Sequence, residues 1–132
     1  MNPEGMIREL KEKGFKLTPQ RMEIVRALYN FSGDHPSLNS LHNFVTMNMP
    51  TVSFSTLYNT ISTLEKNGMI RLFDYGGETR IEMNLEDHLN IIDTETGNIT
   101  DLKNEKMIEE VLTQIDMDNS RERKVLINVI YY

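Results

Sequence analysis

Cysteine is absent from the 132 residues. That absence removes disulfides, thiol catalysis and any cysteine-ligated structural zinc. Long apolar runs are missing as well. No stretch is long enough to span a membrane and no secretory or transit-like pattern stands at the N-terminus, so a cytoplasmic protein with no membrane partner is expected. No repeat or low-complexity tract interrupts the chain. An excess of positive charge is also lacking: the net charge is −6. Residues 1–84 hold nine Lys/Arg against nine Asp/Glu, whereas residues 85–132 hold five against eleven. The acidity belongs to the second half, and a neutral first half can bind nucleic acid only where its basic residues share a face. With 39% apolar and 26% charged residues, the chain reads as one ordinary globular domain or two small ones.

Charge is also scarce on one helix, and this points to function. Ser53 caps a helix that runs to about Lys66 and stops at Gly68, with apolar residues at Phe54, Leu57, Ile61 and Leu64 forming one stripe. Away from that stripe stand Ser55, Thr56, Tyr58, Asn59, Ser62 and Thr63, where a surface helix ordinarily carries Glu and Lys. Hydroxyls, an amide and a phenol approach phosphates and base edges at low desolvation cost. Met69–Phe73 and Thr79–Met83 then read as two strands around Gly76-Gly77. A helix followed at once by a hairpin is the winged form of the helix-turn-helix, and Arg80 on its second strand joins the candidate DNA-binding residues.

The preceding residues supply scaffolding. Pro3–Lys13 reads as a helix ended by Gly14, with Lys16 beyond it as a candidate phosphate contact. Thr18-Pro19 starts a second helix running to about Phe31; Asp34–Ser37 connects it to a third, capped by Ser37, with Leu38, Leu41, Phe44 and Val45 facing inward. His42 lies off that stripe and is expected at the surface. Asn84–Asp87 reads as a hinge. Beyond it, Leu89–Asp93 and Ile99–Asp101 are strand-like, Asn104–Ile115 is helical with Met107, Ile108, Val111, Leu112 and Ile115 on one face, and Val125–Tyr132 is an apolar strand. Residues 1–84 thus form a winged-helix DNA-binding domain and residues 85–132 a small α/β domain, an α/β (α+β) architecture overall. The second half buries too little to stand securely alone, which predicts a homodimer formed through it.

Leu17-Thr18-Pro19-Gln20-Arg21, His35-Pro36-Ser37, Val52-Ser53 with Thr56-Leu57-Tyr58-Asn59, Leu64–Ile70 and Thr79–Glu82 together resemble the ferric uptake regulator (Fur) superfamily of metal- and peroxide-responsive repressors. The resemblance implies a dimeric repressor with an N-terminal winged helix, a C-terminal α/β dimerisation domain and a double-stranded operator of inverted-repeat symmetry. It places the matches to Tyr58 and Arg21 at the DNA surface. It also implies an interdomain site for one divalent cation per subunit, Fe²⁺ or Mn²⁺ and alternatively Zn²⁺, with ligands matching His35, Glu82, His88, Asn90 and Asp101. Asn90 replaces a histidine. Asp101, where iron-sensing members usually have Glu, points to the peroxide-responsive branch. Most members also hold a structural zinc on paired Cys-x-x-Cys motifs; the first pair's counterpart here is Asp93-Thr94-Glu95-Thr96-Gly97, so no such zinc is expected. No catalytic constellation is visible. The alternatives are a metal-independent regulator of the same fold and a winged-helix module for protein contacts.

Overall fold

The computed structural model describes residues 2–31, 35–115 and 123–132. Asp34, at the start of the expected connection to the third helix, lies outside them. The chain divides into two compact units, Met1–Asn84 and Leu85–Tyr132.

The first unit runs α1 (Pro3–Glu12), α2 (Pro19–Asn30), α3 (Leu38–Asn48), α4 (Phe54–Lys66), β1 (Arg71–Tyr75) and β2 (Glu78–Glu82). Every one of these helices starts on a side-chain cap: Asn2, Thr18, Ser37 and Ser53 accept from the backbone N–H groups of Gly5, Arg21, Ser40 and Thr56. α4 ends as sharply. Gly68 sits at φ 67°, its N–H bonding to Glu65 and that of Met69 to Leu64, a paired closure that a Cβ at this left-handed position would strain. Met69 and Ile70 are therefore buried beneath the helix end, and β1 starts at Arg71, two residues later than the apolar pattern suggests. Gly76 and Gly77 both have positive φ and join β1 to β2 in the two-residue turn that suits a twisted hairpin. Ile24, Leu28, Leu41, Leu57, Ile61, Leu64, Ile70 and Ile81 fill the core.

Two expectations for this unit are corrected. Phe54 does not continue the buried stripe; it is 42% exposed. His42 is not a free surface residue but partly buried, its Nε2 2.9 Å from the Val52 carbonyl. The first turn of α4 lies over α3, where His42 already fills the space, so the phenyl ring stays outside and meets the imidazole edge-on.

The second unit comprises β3 (His88–Asp93), β4 (Ile99–Leu102), α5 (Glu105–Gln114) and β5 (Leu126–Tyr131). The sheet order is β4-β3-β5, with β4 antiparallel and β5 parallel to β3. Leu89, Ile91 and Ile127 pack against Ile108 and Leu112 of α5. The expected single apolar face of α5 is in fact two: Ile108 and Leu112 are buried, while Met107, Val111 and Ile115 are 42%, 39% and 60% exposed. On β5, Val129, Ile130 and Tyr131 are exposed as well. The β3–β4 turn is closed by Asp93, whose carboxylate accepts from the Glu95 and Thr96 N–H groups, while Thr94 bonds through its N–H and hydroxyl to the Tyr131 carbonyl.

Candidate nucleic-acid face and metal ligands

On α4, the buried side chains of Leu57, Ile61 and Leu64 fix which way the helix faces, and Ser55, Tyr58 and Asn59 are left exposed, Tyr58 by 53%. The hydroxyls are not equivalent. Ser53 Oγ lies 3.0 Å from Thr56 Oγ1 and accepts from the Thr56 N–H, so the partly buried Thr56 belongs to the cap; Thr60 and Thr63 donate back to the Thr56 and Asn59 carbonyls. Of the hydroxyl-bearing candidates, Ser55 and Tyr58 are therefore the ones whose side chains stand outward. Lys16 is exposed at the foot of α2, and Arg21 Nη1 donates to its carbonyl at 2.6 Å. That bond holds the guanidinium beside Lys16 and concentrates positive charge there.

Arg80 sits differently from what its place on the hairpin suggests. Its Nη1 donates to the His35 carbonyl (3.2 Å), its Nη2 meets Glu78 (3.3 Å), and its guanidinium lies over the Tyr75 ring. A side chain held at three points braces the hairpin against the segment leading into α3. Ser37 bridges to Arg80 and the Ile81 N–H bonds to the Pro36 carbonyl, completing that attachment.

The brace positions the first pair of candidate ligands. His35 Nε2 stands 3.2 Å from Glu82 Oε2, and both side chains are buried. His35 has φ 49°, a left-handed conformation uncommon for a non-glycine residue and a frequent mark of functional sites. The remaining candidates share one face of the second unit's sheet, the face away from α5. His88 and Asn90 alternate along β3, and Asp101 pairs with Asn90 across β4. His88 Nδ1 lies 2.7 Å from the Glu86 carbonyl. A carbonyl only accepts, so Nδ1 carries the proton in this contact, and the backbone bond fixes the orientation of the ring, as it does in ligating histidines. Asn90 Nδ2 donates to Asn128 Oδ1 at 3.2 Å; only its carbonyl oxygen offers a lone pair to a cation. Asn128 was missed by the sequence reading, although an amide in an otherwise apolar strand was a signal for it. Imidazole, carboxylate and amide oxygen, with no sulfur, are donor types suited to borderline and hard divalent ions.

These features define a winged-helix protein with a C-terminal α/β unit and candidate metal ligands on both. The ferric uptake regulator family model matches residues 12–130. A ferric uptake regulation protein homolog of Archaeoglobus fulgidus is 37% identical over 108 residues, covering 82% of this chain and 83% of that protein. The peroxide-responsive repressor PerR of Staphylococcus aureus is 30% identical over 101 residues, 76% of this chain and 68% of the other. Among solved structures, the Helicobacter pylori ferric uptake regulator Fur, described as having three functional metal binding sites, superposes with TM-score 0.72 at 25% identity over 97% of this chain and 87% of its own. A zinc-bound manganese uptake regulator gives 0.69 at 26% identity, covering 96% and 98%. The chain belongs to the ferric uptake regulator family. It is accordingly a regulator and not an enzyme. No helix among the described residues is long and apolar enough to cross a membrane.

Proposed function

We propose that the protein is a homodimeric, sequence-specific DNA-binding repressor whose operator affinity is set by one divalent cation per subunit, held jointly by His35, Glu82, His88, Asn90 and Asp101. The observation that carries this reading is the ligand chemistry prepared on each unit: a buried His35–Glu82 pair on one, and on the other a histidine whose ring orientation is fixed by its Nδ1–H bond to the backbone. A cation drawing on both units couples their arrangement to its own binding, and the spacing of two recognition helices in a dimer follows from that arrangement. Bound there, the ion supplies charge and a fixed coordination geometry. Exchange of an imidazole for the Asn90 amide oxygen makes the set richer in oxygen, which favours Mn²⁺ or Fe²⁺ over Zn²⁺. Asp101 and the PerR relatives support peroxide as a further signal acting through bound iron. DNA contact falls to Ser55, Tyr58 and Asn59 on α4 and to Lys16 and Arg21 beside it, with Thr56 and Arg80 placing those groups. Dimerisation through the second unit is supported by the apolar residues exposed on α5 and β5.

The test is DNA binding by metal-stripped protein to inverted-repeat duplexes, with and without Fe²⁺, Mn²⁺ and Zn²⁺. One metal is expected to tighten binding at least about tenfold, about 1.4 kcal/mol of coupling, and His88→Ala to lose that gain. Tight binding by stripped protein that no metal changes would refute the gating.

A further inference from the structure

The recognition helix opens on an aromatic ring that the core does not use. Phe54 is the first helical residue of α4 and stands on the same exposed side as Ser55 and Tyr58, the latter one turn further along. Its ring is oriented from below. The His42 imidazole meets it edge-on, with centroids 5.6 Å apart and planes at 74°. His42 is itself anchored, because the Val52 carbonyl 2.9 Å away can only accept and so fixes the proton on Nε2. The outward side of α4 carries no arginine or lysine before Lys66. It therefore lacks the cationic fork that reads guanine, and among the readouts left to it, hydroxyl and amide bonds to base edges and apolar contact with the thymine methyl group, the last is the one an aromatic ring supplies.

We propose that Phe54, braced by His42, is a specificity-determining residue that recognises the 5-methyl group of a thymine in the major groove. The inference rests on the DNA-binding reading of α4 and deepens it. His42 acts as a positioning residue: it touches no base, but fixes the ring that does.

The experiment begins with selection of duplexes from a random pool by the intact, metal-loaded protein. Each thymine of the enriched site is then replaced singly by deoxyuridine, which removes only the methyl group. At one thymine per half-site, wild type is expected to lose about fourfold in affinity, the value of one buried methyl-sized group. Phe54→Ala should bind thymine and deoxyuridine duplexes equally at that position while remaining folded, with a lowered thermal midpoint because the half-covered ring loses its packing on His42. His42→Gln retains a donor for the Val52 carbonyl but removes the ring, and should reduce the discrimination without abolishing binding. An unenriched pool would sink the DNA-binding reading itself. Enrichment with a thymine preference that survives in Phe54→Ala, or with no methyl dependence at any position, would overturn this inference and leave the DNA-binding reading standing.

Discussion

Ser53→Ala isolates the contribution of one hydroxyl to the helix on which the proposed activity depends. Ser53 Oγ accepts from the Thr56 N–H at 3.1 Å and lies 3.0 Å from the Thr56 hydroxyl; alanine leaves that N–H to solvent. Removal of such a cap costs about 1 kcal/mol, and in a unit of this size that lowers the thermal midpoint by about 4–8 °C. Ser53→Asp separates stability from binding. A carboxylate caps as well as serine and suits the positive end of the helix dipole, so the midpoint should stay within about 2 °C of wild type. The added negative charge would face the phosphates, however, and operator affinity should fall while its salt dependence becomes shallower. Thermal melts followed by circular dichroism, with binding isotherms at two salt concentrations, measure both quantities. An unchanged midpoint in Ser53→Ala would refute the assigned cap. Undiminished affinity in Ser53→Asp would refute the assigned orientation of α4 toward DNA.

Three further outcomes are expected. Added Mn²⁺ or Fe²⁺ should raise the unfolding free energy by about 2.7 kcal/mol at a hundredfold excess over its dissociation constant, and Glu82→Ala should abolish that increment in a thermal-shift titration. Ile130→Lys places an ammonium on the exposed apolar part of β5 and should convert a dimer to monomers at micromolar concentration by analytical ultracentrifugation; a persistent dimer would exclude β5 from the interface. The backbone N–H of Glu95, helped by those of Thr96 and by Tyr131, holds the Asp93 carboxyl below the usual carboxylate range. A depressed folded-state value means stability that is present above the unfolded value and lost as pH falls through the folded one. Asp93→Asn should therefore flatten the most acidic part of the stability–pH profile, and an identical profile in the variant would show that the turn does not depend on that charge.

Much of the first unit was legible because its signals are local. Thr18-Pro19, Ser53 and Gly68 each act through hydrogen bonds within one turn of chain, and Gly76-Gly77 supplies the positive φ that a tight hairpin needs. What was not legible depends on neighbours distant in sequence. Five apolar residues on α5 span too wide an arc for one contact, and only the docked sheet selects Ile108 and Leu112 over Met107, Val111 and Ile115. Phe54 fits the helical stripe by spacing but is displaced by a histidine twelve residues earlier. Arg80 reads as a surface cation until the segment before α3 is brought alongside it. The turn at Asp93 likewise shows how the second unit is closed without thiolates: a carboxylate accepting two backbone N–H groups, and Thr94 tied to the end of β5.

His35 is where local preference and structure disagree most. A residue preceding proline favours extended backbone, yet His35 adopts φ 49°, a conformation that costs on the order of 1–3 kcal/mol. Such a cost persists only where other contacts over-determine the backbone. Here Arg80 donates to the His35 carbonyl, the Ile81 N–H bonds to Pro36, and Ser37 caps α3 while bridging to β2. None of these attachments uses the imidazole. Their common effect is to hold the ring 3.2 Å from Glu82 at a buried position. The segment is thus fixed by backbone bonds that set the His35 ring against Glu82, and the left-handed backbone at this position is retained because those contacts over-determine it.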